Sequence, residues 1–369
     1  MKLVFAVDAI RPPLTGIGRY AWELANHYQG EPCDVETVRF LSGDRWISSL
    51  DDLLIEPGKK KPLQRRFKWL TTLGRQQRVR KLIRHHVCHS PNYFLPGVVE
   101  RGIATVHDLS VFKFPETHPV ERIVQFERNF ASTLQRAVHL ITDSAATRQE
   151  VATFFGWPLD KITAIGLGVR ADFHPREPGE MGALAQWNLE PFRYALCVST
   201  LEPRKRIDCL LDAYGSLPIA LRRQYPLVIA GGKGWLNDAL LIQIEKGQQE
   251  GWVLYLGYVP EESLPVLYAG SKAFLYPSIY EGFGLPVLEA IASGVPTLAM
   301  NCSSLPEAGS GAAWLVEPGD HDALREGIQR VLCDEKWRKS AISKGLSAAR
   351  QQTWSRCANA TIDVYRKFA

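Results

Sequence analysis

Two glutamates separated by seven residues give the strongest chemical signal in the sequence. Glu281 and Glu289 bracket the stretch E-G-F-G-L-P-V-L-E, which follows a short apolar run at 273–276. The apolar run predicts a buried strand, and Pro286 fits the first residue of a helix that Gly294 would end. Because a helix start offers amide donors and a partial positive charge, the two carboxylates would flank an anion-binding site.

A pair of adjacent cations follows another apolar run in the second half of the chain. Arg204 and Lys205 lie in the loop S-T-L-E-P-R-K-R, directly after a strand predicted over 194–198. Arginine can bind a phosphate group through two parallel N–H bonds and lysine adds a compact point charge, so the two side chains suit a diphosphate. A solvated basic loop is the alternative interpretation of the same residues.

A histidine and two glycines are the corresponding candidates in the first half. His107 follows a buried strand predicted over 102–106, and open α/β sheets bind ligands beyond the carboxyl ends of their strands. Asp108 either caps a turn or orients His107. Gly16 and Gly18 lie in a predicted loop, where backbone amides can reach a diphosphate or an acceptor hydroxyl. A plain tight turn is the alternative there.

Strands and helices alternate along the chain. The alternation begins with a strand over 2–7 and a helix over 20–28, and it predicts parallel sheets covered by helices on both faces. Glycine and proline interrupt the pattern, which predicts a linker at 171–190. A chain of 369 residues is also long for one α/β domain. We therefore predict an α/β protein with two Rossmann-like domains, over 1–170 and 191–354.

Composition argues against a secreted or membrane-embedded protein. The seven cysteines are scattered and lack C-x-x-C spacing, so neither disulfides nor a zinc site is expected, and a reducing cytoplasm fits. The first strand leaves no room for a signal peptide, and no apolar run is long enough to span a bilayer. No cluster of carboxylates predicts an obligate metal.

Positive charge is concentrated in one stretch of a chain whose net charge is only +5. No Asp or Glu occurs between Lys59 and Val99, and apolar residues recur there at helical spacing. This pattern is typical of a basic amphipathic helix on an anionic membrane surface, and a solvated helix packed on its own domain fits it equally. Nucleic acid is not expected as a partner, because no nucleic-acid-binding motif accompanies the charge. The basic residues of this stretch are Lys59, Lys60, Lys61, Arg65, Arg66, Lys68, Arg75, Arg78, Arg80, Lys81 and Arg84.

Three motifs carry a family resemblance that covers most of the chain. The stretch E-G-F-G-L-P-V-L-E resembles the E-x7-E signature of retaining glycosyltransferases with two Rossmann-like domains (GT-B type, glycosyltransferase family 4 or group 1). The loop L-E-P-R-K-R is similar to the family's L-E-P-R-K-N, with Arg206 in place of the usual Asn. A further arginine that many members carry is missing, and Ser199 or Thr200 occupies its place. Together with R-P-P-L-T-G-I-G-R-Y, these motifs look most like bacterial polysaccharide (O-antigen type) mannosyl- and rhamnosyltransferases.

The resemblance implies a nucleotide-diphosphate sugar as donor, bound on the second domain. It places Glu289 on the ribose hydroxyls and the backbone around Val259 on the base. Arg204 and Lys205 would bind the diphosphate, and the loop G-I-G of the first domain would serve the diphosphate or the acceptor.

The resemblance also implies contacts to the sugar. The amides of Phe283, Gly284 and Leu285 would contact its hydroxyls, while Glu281 and His107 would lie near the anomeric carbon. In the family the anomeric configuration is retained, and a leaving-group oxygen is thought to deprotonate the acceptor. No metal or other cofactor is then required.

The function implied is transfer of a hexose or 6-deoxyhexose, mannose or rhamnose being favoured, from a GDP-linked donor. The acceptor would be a growing lipid-linked polysaccharide or O-antigen at the inner face of the cell membrane, with 59–84 as the peripheral membrane contact. The two domains would face across a cleft, and the terminal helix at 355–369 would cross back to the first domain. The alternatives on this architecture are a sugar-nucleotide epimerase, a phosphorylase and a non-catalytic nucleotide-sugar-binding subunit.

Overall fold

A computed structural model describes residues 1–14, 16–30, 34–55, 68–234 and 237–369, without the side chains of 68–73 and 122. Residues 59–67 of the basic stretch, including Arg65 and Arg66, therefore lie outside the described residues. The chain forms two compact units. Unit 1 comprises Met1–Leu109, Glu121–Gly168 and Trp354–Ala369, and unit 2 comprises Ser110–Val120 and Val169–Thr353.

Each unit is built on one sheet. The strands of unit 1 are β1 (Lys2–Ala6), β2 (Thr37–Ser42), β3 (Arg45–Ile47), β4 (Val87–Ser90), β5 (Gly102–Val106), β6 (Ala137–Thr142) and β7 (Ile162–Ala164). Those of unit 2 are β8 (Ala195–Val198), β9 (Leu227–Ala230), β10 (Val253–Gly257), β11 (Ala273–Tyr276), β12 (Thr297–Met300) and β13 (Trp314–Val316). The orders are β3-β2-β1-β4-β5-β6-β7 and β10-β9-β8-β11-β12-β13, and every neighbouring pair is parallel except β2 with β3.

Helices connect the parallel strands, as parallel pairing requires. They are α1 (Gly16–Gly30), α2 (Lys68–Ile83), α3 (Ser110–Lys113), α4 (Val120–Arg136), α5 (Ala145–Phe155), α6 (Ile207–Gly215), α7 (Ile219–Gln224), α8 (Asp238–Gln249), α9 (Leu264–Ala269), α10 (Leu285–Ala292), α11 (Leu305–Gly309), α12 (His321–Cys333), α13 (Glu335–Ala349) and α14 (Trp354–Arg366). None of these helices is long and apolar enough to cross a membrane. The prediction of two parallel α/β units is confirmed.

The last helix returns the chain to unit 1, as the sequence predicted. α14 packs on α1, and the Tyr365 hydroxyl lies 3.2 Å from that of Tyr28 and 2.5 Å from Nδ1 of His89. His89 also reaches the Thr105 hydroxyl at 2.9 Å. All four side chains are buried, so this hydrogen-bonded chain fixes α14 against the centre of the sheet.

Two local predictions need correction. α1 begins at Gly16 rather than at Tyr20, so Gly16 and Gly18 lie on its first turn and not in a loop. Gly18 is buried in line with Ala21, Leu24 and Tyr28, and packing of this face outweighs the low helix propensity of glycine. The segment Ser110–Val120 packs in unit 2, although the sequence placed it within a first domain over 1–170.

Candidate functional site

The two chemical motifs of unit 2 meet at one edge of its sheet. β8 and β11 are parallel neighbours, with Ala195 opposite Ala273. The turn that follows β8 carries Arg204 and Lys205, and the loop that follows β11 carries Glu281. Because the carboxyl ends of parallel strands lie at the same edge, the fold brings together side chains that are 76 residues apart in sequence.

These side chains form a tight ionic cluster. Nζ of Lys205 lies 2.5 Å from Oε1 of Glu281, and Nη1 of Arg204 lies 3.3 Å from Oε2 of the same carboxylate. The hydroxyl of Tyr276 donates to Oε1 of Glu281 at 2.9 Å and accepts from Lys205 at 3.2 Å. We call Arg204, Lys205, Tyr276 and Glu281 the cation–carboxylate cluster.

Burial and charge act in opposite directions on the carboxylate of this cluster. Burial alone would raise the pKa of Glu281, but the positive charges of Lys205 and then Arg204 outweigh it and lower the pKa to about 2. Burial, reinforced by the negative charge of Glu281, raises the pKa of Tyr276 well above its ordinary value. At neutral pH the cluster therefore contains two cations, one carboxylate and one neutral phenol.

Arg204 is held from both sides of its guanidinium group. Nη1 donates to the backbone carbonyl of Tyr280 at 2.5 Å, and Nη2 lies 3.5 Å from Oε2 of Glu202. The hydroxyl of Thr200 donates to the other oxygen of Glu202 at 2.8 Å. The guanidinium group is therefore oriented before any ligand arrives, which lowers the entropy cost of binding an anion.

Close backbone contacts fix the loop that presents the cations. A Cβ atom on Gly231, whose φ is +146°, would lie 1.9 Å from the carbonyl oxygen of Ser199. One on Gly234 would lie 2.4 Å from that of Leu201. Only glycine allows this approach, so the run G-G-K-G after β9 supports the loop between β8 and Arg204.

The stretch between the two glutamates turns sharply into α10. Gly284 has φ +109° and precedes the first helical residue Leu285, so Pro286 is the second helical residue rather than the first. A Cβ on Gly284 would also lie 2.9 Å from Cδ2 of Leu305, and Phe283 before it is buried. Ser304 donates to the carbonyls of Glu281 and Phe283, at 2.8 and 2.9 Å.

The remaining donor-binding candidates of unit 2 lie beyond the cluster. Glu289 is half-buried on α10, and its charge, after burial, helps to raise the pKa of Tyr268. Val259 is buried just after β10, which lies two strands away from β8 in the sheet. Val259 follows β10 closely and Glu289 lies on the helix that follows the loop after β11; their roles at the ribose and the base stay predictions.

His107 lies at the carboxyl end of β5 in unit 1. Its Nδ1 is 2.7 Å from Oδ2 of Asp143, and its Nε2 is 2.8 Å from the carbonyl oxygen of Pro91. The Pro91 carbonyl can only accept, so Nε2 donates to it, while Nδ1 shares a hydrogen bond with the Asp143 carboxyl group, whose own pKa is raised by burial. Burial alone would lower the pKa of His107, but the Asp143 carboxylate raises it above the ordinary value. The carboxylate bonded to His107 is thus that of Asp143, while the amide of Asp108 donates to the Tyr93 hydroxyl at 2.9 Å.

Comparison with known proteins agrees with this architecture. The family profile described as Glycosyltransferase Family 4 matches residues 14–173, and the profile described as Glycosyl transferases group 1 matches residues 185–347. The O-antigen chain mannosyltransferase B of Escherichia coli is 38% identical over 99% of this chain and 100% of its own length. The chain belongs to the group 1 (family 4) glycosyltransferases.

Solved structures show the same fold at lower sequence identity. The glycosyltransferase WaaG, described as involved in lipopolysaccharide biosynthesis, superposes with a TM-score of 0.70 and 17% identity over 98% of this chain and 99% of its own. Anabaena Alr3699/HepE, solved with UDP and glucose, gives 0.72 and 18% over 100% and 99%. The predictions of a GT-B glycosyltransferase fold and of a hexosyltransferase are confirmed.

Several residues of the candidate site have little signal in the sequence. Tyr276 looks like an ordinary apolar strand residue, and Glu202 looks like a solvated loop residue. Ser303, whose hydroxyl accepts from the Glu281 amide at 3.0 Å, follows a different strand. Asp143 reads as a helix start, and only the position of β6 beside β5 reveals it as the partner of His107. Among the described residues no group of three or more His, Cys, Asp or Glu is arranged to hold a metal ion.

Proposed function

We propose that this glycosyltransferase moves mannose from GDP-mannose to a growing lipid-linked O-antigen polysaccharide, with retention of the anomeric configuration. The observation that carries the chemistry is the cation–carboxylate cluster, in which two buried cations are oriented at the carboxyl edge of the unit 2 sheet. The mannosyl group and the polysaccharide acceptor are proposed from the full-length similarity to the O-antigen chain mannosyltransferase B.

Arg204 and Lys205 would act on the leaving group. When the bond between the anomeric carbon and the diphosphate breaks, negative charge grows on the diphosphate and positive charge grows on the sugar ring. Cations fixed beforehand stabilise the growing negative charge without reorganising, and losing one such contact typically costs roughly 2.7–4 kcal/mol of transition-state stabilisation. We propose that these two side chains take the place of a metal ion.

Glu281 would have two roles that follow from its position. Before the donor binds, its carboxylate pairs with both cations and, together with Glu202 on Arg204, keeps the two side chains in place. A bound diphosphate would share the cations with Glu281, which leaves the carboxylate available to stabilise positive charge on the sugar ring. The turn at Phe283, Gly284 and Leu285 would direct backbone amides at the sugar hydroxyls, because α10 begins there.

Glu289 and the backbone around Val259 would hold the ribose and the base, as in the family that the sequence resembles. Gly16 and Gly18 lie on the first turn of α1. Their backbone amides would contact an anion or an acceptor hydroxyl at this helix start. In retaining transfer the acceptor proton passes to a leaving-group oxygen on the same face of the sugar, so no protein base is assigned.

His107 would lie beside the donor sugar as a positioning group. Both of its ring nitrogens bond within unit 1, to Asp143 and to Pro91, so the geometry favours fixation of the loop after β5 over proton transfer.

Peripheral association with the inner face of the cell membrane through 59–84 is proposed from the charge of that stretch. In its described part Arg78, Arg80, Lys81 and Arg84 are exposed, whereas Arg75 pairs with Asp44 at 2.7 Å.

A transfer assay with defined components tests the proposal. The purified protein is incubated with radiolabelled GDP-mannose and a lipid-linked mannan acceptor, and the linkage formed is determined by NMR. Label in the acceptor as an α-mannoside is expected. Conversion of the sugar nucleotide without acceptor would favour the epimerase, a β-linkage would exclude retention, and transfer only from GDP-rhamnose would overturn the donor assignment.

A further inference from the structure

A cavity lies in unit 1, at the edge of the sheet opposite to the edge at which His107 lies. It has a volume of about 840 Å³ and is lined at the amino ends of β4 and β5 by Val87 and Gly102, and at the carboxyl end of α2 by Ile83. His107 follows the carboxyl end of β5, so the length of a strand separates the two places. This cavity, which we call the amino-edge cavity, has no part in the chemistry proposed above.

Basic residues dominate the charge of the amino-edge cavity. Arg80, Lys81 and Arg84 reach it from α2 and the turn after it, and Arg101 reaches it from the residue before β5. Of the described residues that line the cavity, Glu100 is the one carboxylate. The carboxyl end of α2 offsets part of this charge through its dipole, which is equivalent to about half an elementary charge. A positive excess remains.

A partly buried histidine lies in the wall of the cavity. His86 lines the cavity, and burial, then Arg39 and Lys2 at neighbouring strands, lower its pKa below the ordinary value. Its Nδ1 is buried and has no hydrogen-bond partner among the described residues. Positive charges on β1 and β2, in addition to those on α2, therefore disfavour a proton on His86. A bound anion would offset this effect.

One wall of the amino-edge cavity is apolar. Its accessible apolar surface comes from Phe368, which follows α14 and is 40% exposed, and from the half-buried Val138, whereas Val98, Val99 and Ile103 are at most 2% exposed. A neighbouring cavity of about 630 Å³ shares Arg101 and Phe368 and continues the groove towards Trp157 and Lys161. A ligand that matches both features carries a phosphate group and an apolar chain.

We propose that the amino-edge cavity binds the phosphate headgroup and the adjoining acyl chain of an anionic phospholipid in a bilayer. Its volume lies in the range of ligand sites, about 300–1,000 Å³. Clusters of Lys and Arg attract anionic membrane surfaces, and an exposed aromatic residue suits the headgroup boundary. This inference rests on the proposed function, which supplies the membrane. A bilayer bound at the amino-edge cavity would lie on the side of unit 1 opposite to the carboxyl edge of its sheet. Such an orientation suits a polysaccharide whose growing end is remote from its lipid.

The test compares two charge-matched double variants of the full chain. Arg84→Glu with Arg101→Glu changes the amino-edge cavity, and Arg128→Glu with Arg223→Glu changes exposed arginines elsewhere by the same net charge. Sedimentation with phosphatidylcholine vesicles is measured with and without phosphatidylglycerol. We expect wild type to bind only the anionic vesicles, the cavity variant to lose about tenfold or more in affinity, and the control to stay within about twofold.

A second readout separates lipid from free phosphate. The pKa of His86, followed by NMR, should rise on addition of short-chain phosphatidylglycerol and much less with glycerol 3-phosphate. If both variants lost vesicle binding equally, the loss would follow from the change in net charge alone, and the proposal would be overturned. If glycerol 3-phosphate raised the pKa of His86 equally and the protein did not bind vesicles, the phospholipid proposal would be overturned in favour of a soluble phosphate ligand.

Transfer to a soluble mannan acceptor keeps this inference distinct from the proposed function. The cavity variant should retain wild-type transfer, because both substitutions lie in unit 1 and leave every residue of the cation–carboxylate cluster unchanged. Failure of wild type in that assay counts against the proposed function and leaves the vesicle result standing. Unchanged binding of the cavity variant to anionic vesicles counts against the cavity alone.

Discussion

Oε1 of Glu281 lies 2.5 Å from Nζ of Lys205, and this contact joins the loops after β11 and β8. Both side chains are about nine-tenths buried. A buried ion pair adds little net stability compared with apolar residues, but removing one partner typically costs about 3–5 kcal/mol. The pair therefore contributes geometry rather than stability, since it holds two cations where a diphosphate can displace or share their partner.

Lys205→Ala should nearly abolish transfer. The substitution removes one of the two cations that are proposed to bind the diphosphate, so kcat/KM should fall by about 10²–10³. Steady-state kinetics with GDP-mannose measure the loss, and the unfolding temperature shows whether the fold is intact. Lys246→Ala, on the exposed side of α8, is the matched control and should behave as wild type. Near-normal turnover by folded Lys205→Ala would remove the assigned role.

Glu281→Gln should change the acid stability of the protein. The pKa of Glu281 is lowered to about 2, so its ionised form stabilises the folded state above the ordinary value of 4.5. That contribution is lost as pH falls from about 4.5 through about 2. In Glu281→Gln the stability should depend less on pH in this window, as measured by denaturant unfolding at a series of pH values. A pH dependence identical to wild type would contradict the lowered pKa.

Asp143→Asn should lower the pKa of His107. The Asp143 carboxylate raises that pKa against the effect of burial, and an amide cannot replace its charge. For a raised histidine pKa, the stabilisation is complete below about 6.5 and is lost as pH rises through the folded-state value. The ring protons of His107 should therefore titrate at lower pH in the variant. An unchanged titration would show that Asp143 does not hold the proton on the ring.

Arg206→Asn should stabilise the protein. Arg206 has φ +48°, a left-handed conformation that costs most residues roughly 1–2 kcal/mol and that Asn tolerates better. The side chains of its ion pair with Asp208 are 39% and 44% exposed, and ion pairs this accessible to water contribute little. Thermal unfolding should show a higher transition temperature, whereas Arg223→Asn on α7 should show no gain. A lower transition temperature for Arg206→Asn would indicate that the contacts of the arginine outweigh the backbone strain.

The sequence predicted those features that depend on local pattern. The strands β5 and β11 match their predicted bounds over 102–106 and 273–276, because polar and glycine-bearing segments bracket these apolar runs closely. The helix that follows β6 begins with a local signal as well, since the Ser144 hydroxyl accepts from the Thr147 amide at 3.0 Å. The three-residue strands β3 and β13 were missed, since their pairing partners define them more than their own residues do.

Features that depend on tertiary contacts could not be predicted in this way. Nothing near Glu281 in the sequence indicates that its carboxylate pairs with Lys205, because the pairing follows from the order of β8 and β11 in the sheet. The pairing of His107 with Asp143 likewise follows from β5 lying beside β6. Gly16 shows the opposite case, in which the sequence predicts a loop because glycine has a low helix propensity, whereas the residue begins α1.

The most direct test of the central claim is calorimetric binding of GDP and of guanosine to wild type and to Lys205→Ala. A charge-assisted hydrogen bond contributes about 1.5–3 kcal/mol, so the variant should bind GDP roughly 10- to 150-fold more weakly. Its affinity for guanosine, which has no phosphates, should match that of wild type. Equal Kd values for GDP in the two proteins would contradict the assignment of the cation–carboxylate cluster to the diphosphate.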